Sequence, residues 1–190
     1  AANAAAPSVF RGRQTVFGVL TAAPLWPKAA LNALAHKGMK TIGYIYENSN
    51  FQKALCSAIP RLAEGLGVTV VKGIHVSTSK WSSSVVDNVV LEMTAAAPDV
   101  VMVCAYEDAT NLILQSMQSS NFTPGMVVGS VRPALGFQYN LRFVAFLDFW
   151  SKDSQHVSAW ADGMTALDFA QNYSDQYGTS PTFFGACQWA

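Results

Sequence analysis

Residues 41–46, TIGYIY, form a short apolar and aromatic run that stops at Glu47-Asn48-Ser49-Asn50. A run of this kind, bounded by turn-forming residues, reads as a buried strand feeding a polar loop. The period then changes. Leu55, Ala58, Ile59, Leu62 and Leu66 recur at helical spacing within 52–66, Ser49 or Asn50 stands where a cap belongs, and Gly67 is placed to stop the helix. Pro60 falls inside that helix, where it removes one hydrogen bond and is expected to produce a kink.

Outward from this unit the same alternation repeats. Residues 68–76 (VTVVKGIHV) read as a strand interrupted by Gly73, and 77–80 as a polar loop. Residues 81–97 read as a helix with Trp81, Val85, Val89 and Met93 on one face, ended by Pro98. Residues 99–105 (DVVMVCA) are a third strand, 109–118 a third helix with Leu112, Ile113 and Met117 inward, and 125–129 (GMVVG) a fourth strand. Residues 143–150 (FVAFLDFW) make a fifth apolar run, and 158–177 a helical pattern through Trp160, Met164, Leu167 and Gln171 that breaks at 178–181. Residues 182–190 begin another helix, and 16–20 are a strand candidate without a complete strand–helix unit. Near-continuous apolar strands alternating with helices predict an α/β fold: a parallel sheet flanked by helices on both faces, in three layers. Right-handed crossovers put the loops that follow the strands along one edge, where open α/β sheets bind ligands.

Composition narrows the function classes. Lysine plus arginine and aspartate plus glutamate both number 12, so the formal net charge is zero and the usual electrostatic ground for binding nucleic acid is missing. No apolar run reaches the roughly 18 residues needed to cross a bilayer. His36, His75 and His156 are scattered and match no metal-ligand spacing, so no metal is expected. The sequence also lacks the GxSxG, GxGxxG and phosphate-loop signatures, so it carries no catalytic residues to name and implies no cofactor. Cys56, Cys104 and Cys187 read first as small buried hydrophobes. A Cys56–Cys104 bridge stays open, because spacing alone cannot support it. The triplets Asn121-Phe122-Thr123 and Asn172-Tyr173-Ser174 fit a glycosylation pattern too common to carry weight.

Several stretches together resemble one family. KTIGYIYENSNFQKAL (40–55) with GLGVTVV (65–71) is similar to the opening of the second lobe in amino-acid-binding proteins of the periplasmic-binding-protein type I family, the leucine/isoleucine/valine type. APDVVMVCAYEDATNLILQSM (97–117) resembles the family's next strand–turn–helix, and SDQYGTSPTFFGACQWA (174–190) its aromatic-Tyr-Gly-x-x-Pro passage into a long helix. AANAAAPSVF resembles the ligand-facing loop of the first lobe, and VFGVLTAA (16–23) would lead into the interlobe crossover. The resemblance implies two α/β lobes that close on a ligand. The chain would then hold the end of an incomplete first lobe and the crossover in 1–39, the second, distal lobe in 40–150, and a return segment in 151–190. It begins at Ala1 without Met and reads as a fragment that could not form a whole cleft by itself.

The resemblance also implies where a ligand would be met. Phe51 matches the family's stacking aromatic, and the competing reading is a helix-start contact with the core. Tyr106 and Glu107 follow an apolar strand at the ligand-facing edge, and Glu107 or Asp108 would suit an ammonium group. For Asp108, capping the third helix is the favoured reading. Ser130 and Arg132 lie in the loop after the fourth strand, where some members carry an acid for the ligand's ammonium. The guanidinium of Arg132 would instead suit a carboxylate, with a solvated loop arginine as the plainer reading. Ala5 stands where a hydroxyl residue is common, and Ser8 is its substitute candidate.

The reading is therefore a binding module rather than an enzyme. Its ligand is a small polar solute, an amino acid or small carboxylate. It works by hinge closure in a transport or sensory receptor outside the cytoplasm, in the periplasm or extracellular space. A transmembrane receptor or transporter component, in the same chain or as a tethering partner, would read the closed state, and a homodimer is a further partner to consider. The alternatives are the ectodomain of a cyclase- or kinase-coupled receptor and, from another class, a small hydrolase-like or flavodoxin-like α/β enzyme.

Overall fold

A computed structural model describes residues 5–15, 21–131, 141, 143–147 and 163–181. The expected strand at 16–20, the helix beginning at 182, the run 148–150, the helical stretch 158–162, Arg132 and Cys187 lie outside these residues. The chain divides into two compact units, one holding the described residues up to 147 and the other 163–181.

The larger unit is built on five parallel strands: β1 (Thr41–Glu47), β2 (Thr69–Val76), β3 (Val100–Cys104), β4 (Met126–Gly129) and β5 (Val144–Phe146). Their order across the sheet is β2-β1-β3-β4-β5. Chain connections therefore leave β1 toward one edge and β3 toward the other. With right-handed crossovers, the helices between β1 and β2 and the helix between β2 and β3 fall on opposite faces.

Five helices serve this sheet: α1 (Pro27–His36), α2 (Asn50–Cys56), α3 (Ile59–Glu64), α4 (Ser83–Ala96) and α5 (Glu107–Ser119). On one face Val86, Val89, Val90 and Met93 of α4 join Ile113, Leu114 and Met117 of α5 over Ile45, Ile74, Val101, Val103 and Val127. The other face carries α2 against β1 and β3, and α3 against β2, with α1 packed on α3. Leu31, Leu55 and Ile59 are fully buried there. The predicted fold is the observed one.

The boundaries differ in instructive ways. The single kinked helix expected over 52–66 is two helices, because the chain turns at Ser57-Ala58 and Pro60 sits in the first turn of α3, where its missing N–H costs nothing. Trp81 precedes α4 instead of starting it, since the Ser82 hydroxyl accepts from Val85 N–H and caps the helix at Ser83. α1 belongs to a stretch in which no helix was anticipated. It opens with Pro27, a residue preset for a first turn. Among the described residues the fifth strand is only Val144–Phe146.

At the opposite end of the sheet from the strand tips, Asp99 ties β3 to β1. Asp99 Oδ2 accepts from Lys40 N–H at 2.7 Å and Thr41 N–H at 2.9 Å, while Asp99 N–H donates to Thr41 Oγ1 at 2.8 Å. The backbone bonds from Lys40 and then Thr41 hold the Asp99 carboxyl below its ordinary range, outweighing a small opposing effect of burial.

In the smaller unit, α6 (Ala166–Tyr177) starts behind a reciprocal cap between Thr165 and Asp168 and ends at Gly178, which has φ 68°. Of the helical pattern expected over 158–177, residues 163–165 lie ahead of the helix, and Gly163 has φ 80°. Phe169, Tyr173 and Tyr177 line one stripe, with ring centroids 6.0 Å and 4.7 Å apart.

Candidate functional site

In a parallel sheet the carboxyl ends of all strands share one edge, and β1 and β3 flank the point where the connections diverge. Glu47 ends β1, Ala105-Tyr106 follows β3, and Ser130 follows β4, so these residues meet at that point.

Tyr106 is the most accessible of them, with 50% of its surface exposed. It is the N-cap residue of α5 and makes no side-chain capping bond. α5 therefore begins two residues earlier than predicted. Asp108, expected to cap it, lies exposed in the first turn, where a carboxylate still complements the helix dipole. Glu107 shares that turn and is partly buried. A half-exposed phenol beside two acids presents an aromatic wall and negative charge along the same edge.

Beneath Tyr106 the edge is polar and closed. Ser130 is buried, and its hydroxyl donates to Gln52 Oε1 at 2.7 Å, with Ala105 O at 3.4 Å as a longer alternative. A hydroxyl committed in this way lies under the surface and not on it. Glu47 is buried as well, and its Oε2 accepts from Tyr106 N–H at 3.4 Å. Glu47 and Gln52 did not stand out in the sequence: Glu47 was expected in a polar loop and Gln52 at an ordinary helix start. The readable signal was their place, directly after an apolar strand and one residue past Phe51.

Phe51 is partly buried, and its ring meets Trp26 edge-on with centroids 4.7 Å apart. Trp26 directly precedes α1 and donates from Nε1 to Thr21 O at 2.8 Å. Ala5 is buried, and its carbonyl accepts from Ala23 N–H at 2.9 Å, so it joins the framework near the start of α1. Ser8 is exposed within the short turn Pro7–Val9. The structure thus gathers Tyr106, Glu107 and Ser130 at the strand tips, places Phe51 on Trp26, and puts Ala5 and Ser8 in the N-terminal stretch.

The cysteines correct one expectation. Cys56 and Cys104 are not separate buried thiols but a disulfide with a Cα–Cα distance of 6.2 Å. The bond fastens α2, which carries Phe51 and Gln52, to the last residue of β3, two residues before Tyr106. Among the described residues no group of three or more His, Cys, Asp or Glu side chains is arranged to hold a metal ion. No described helix is long and apolar enough to cross a membrane.

The family model described as periplasmic binding protein matches residues 9–190. The chain belongs to that family. Its members are binding proteins, and the enzyme alternative is set aside on that ground. A Leu/Ile/Val-binding protein homolog 8 from Brucella abortus is 29% identical over 153 residues, covering 76% of this chain and 36% of that protein. The chain thus spans about a third of the length of this relative. Among solved structures, an ABC transporter substrate-binding protein from Desulfitobacterium hafniense superposes with a TM-score of 0.74 at 14% identity, over 96% of this chain and 51% of that one. The Leucine-, isoleucine-, valine-, threonine-, and alanine-binding protein from Brucella ovis, in a closed conformation, gives 0.66 at 16% identity, over 90% and 43%. These two likenesses establish the fold.

Proposed function

We propose that this chain supplies the second-lobe half of a cleft that binds a small polar solute, with an amino acid favoured, in a transport receptor outside the cytoplasm. The observation that carries the reading is Tyr106: a half-exposed aromatic at the divergence point of the sheet, above a floor of buried polar groups. Glu107, next to it in the first turn of α5, is the acid best placed for the ligand's ammonium group. Arg132, two residues past Ser130 in sequence, is the candidate donor for its carboxylate. Ser130 contributes from below, through Gln52 and Ala105. Phe51 contributes as a wall braced by Trp26, and Ser8 and Ala5 stand on the first-lobe side of the assignment.

Transport is favoured over a signalling ectodomain because the similar solved structures are described as ABC transporter binding proteins, one of them in complex with Leu. Closure of the two lobes around the solute would present the closed form to a membrane partner. The test is calorimetry on the full-length protein with L-leucine, other amino acids, amides and small carboxylates. A saturable heat with an amino acid, lost on Tyr106→Ala, is expected. Absence of binding across the set, or an affinity indifferent to Tyr106, sinks the assignment.

A further inference from the structure

We infer that Glu47 and Gln52 are positioning residues for the turn that carries Tyr106, acting through the peptide group between Ala105 and Tyr106. The inference rests on the reading of Tyr106 as a ligand contact. That one peptide group is held at both ends. Its N–H donates to Glu47 Oε2 at 3.4 Å. Its carbonyl accepts from Thr110 Oγ1 at 3.2 Å and faces Ser130 Oγ at 3.4 Å. Ser130 is in turn aimed by Gln52 Oε1 at 2.7 Å.

The side chains come from three separate elements: the last residue of β1, the first turn of α2 and the residue after β4. All three are buried, with 3%, 0% and 2% of their surfaces exposed for Glu47, Gln52 and Ser130. A carboxylate and an amide are costly fillings for such a place, and apolar residues of the same shape would be cheaper. The cost is visible, since among the described residues Glu47 Oε1 and Gln52 Nε2 have no hydrogen-bond partner. Buried polar groups retained at such cost call for an explanation, and holding one exposed aromatic in a fixed direction supplies it. The Cys56–Cys104 bond closes the same triangle covalently, because α2 holds Gln52 and β3 ends beside Ala105.

The test uses the full-length protein with Glu47→Leu, Gln52→Leu and Glu47→Gln, each with Tyr106 intact and with Tyr106→Ala. Two quantities are read: hydrogen exchange of the residue 106 amide and the dissociation constant for L-leucine. Gln52→Leu and Glu47→Leu are expected to speed that exchange and weaken L-leucine binding, each roughly tenfold, as for the loss of one hydrogen bond. In the Tyr106→Ala background the same changes should alter affinity less than about twofold, since a positioning residue has nothing left to position. Glu47→Gln keeps an amide oxygen to accept from the Tyr106 N–H and should stay near wild type in both readings. Unchanged exchange in both Glu47→Leu and Gln52→Leu, or an equal loss of affinity in the two backgrounds, overturns the inference. If the wild-type protein binds no amino acid, the proposed function fails on its own, and the exchange data still decide whether Glu47 and Gln52 hold the turn. Glu47→Leu and Gln52→Leu lie on separate elements, so the question stays answerable should one of them not fold.

Discussion

Cys56 and Cys104, the last residues of α2 and β3, are bonded to each other across 48 residues of sequence, and neither is exposed to solvent. The link is a covalent counterpart of the apolar contacts that seat α2 on the central strands. On chain-entropy grounds, a closed loop of this length raises stability by about 4 kcal/mol. Replacing both cysteines by alanine should lower the free energy of unfolding in urea by an amount of that order. Wild type should lose a similar amount when unfolded under reductant. Equal stability with and without reductant would show that the two sulfurs are not paired in solution.

Acid should loosen the end of the sheet where Asp99 holds the N–H groups of Lys40 and Thr41. Its folded-state carboxyl is depressed, so its contribution is present above the unfolded-state pKa, about 4. That contribution fades as pH falls through the lower folded-state value. Stability measured from pH 7 down to pH 2 should therefore decline below about pH 4, and Asp99→Asn should flatten part of that decline. At neutral pH the same variant should cost about 1.5–3 kcal/mol, the range for a hydrogen bond to a charged acceptor. A wild-type acid profile matched by Asp99→Asn over the whole range would remove Asp99 from the explanation.

Gly129 sits where β4 passes under Phe146 of β5. A β-carbon at this position would lie 2.6 Å from two atoms of the Phe146 ring. Gly129→Ala should destabilise the lobe by about 1–3 kcal/mol, since a ring cannot yield as a flexible chain end can. Pairing it with Phe146→Leu should recover part of that loss in thermal unfolding. A Gly129→Ala melting point equal to wild type would contradict the packing of β4 against β5.

Tyr106 and Phe51 should separate into different kinds of variant. Tyr106 is half exposed, so Tyr106→Ala is expected to shift stability by less than about 1 kcal/mol while weakening L-leucine binding. Phe51 packs edge-on against Trp26, so Phe51→Ala should cost about 1–3 kcal/mol of stability whatever it does to affinity. Calorimetry alongside urea unfolding reads both quantities. Large stability loss in Tyr106→Ala with intact affinity would reverse the roles assigned to the two rings.

The strands at 41–47, 100–104 and 126–129 were readable because buried parallel strands must be apolar along their length, and the edge strand at 69–76 because turn residues bound it. Helix starts were less readable. Pro60 looks alike as a kink in one helix or as the first turn of a second, and only the turn at Ser57-Ala58 separates the two. Tyr106 displaced Asp108 as the cap of α5 because a residue can take the capping position by backbone conformation alone.

Periodicity was enough to specify, without any structure, a parallel α/β sheet flanked by helices on both faces, with the loops after its strands along one edge. The tertiary structure alone decided which polar groups lie beneath that edge. Glu47, Gln52 and Ser130 come from distant parts of the chain, and Cys56 meets Cys104 across the sheet face. Apolar patterning records which side of an element faces inward, because burial acts on each residue separately. A hydrogen bond or a disulfide needs two particular atoms at one distance and angle, and that condition is met only after the strands have taken their order.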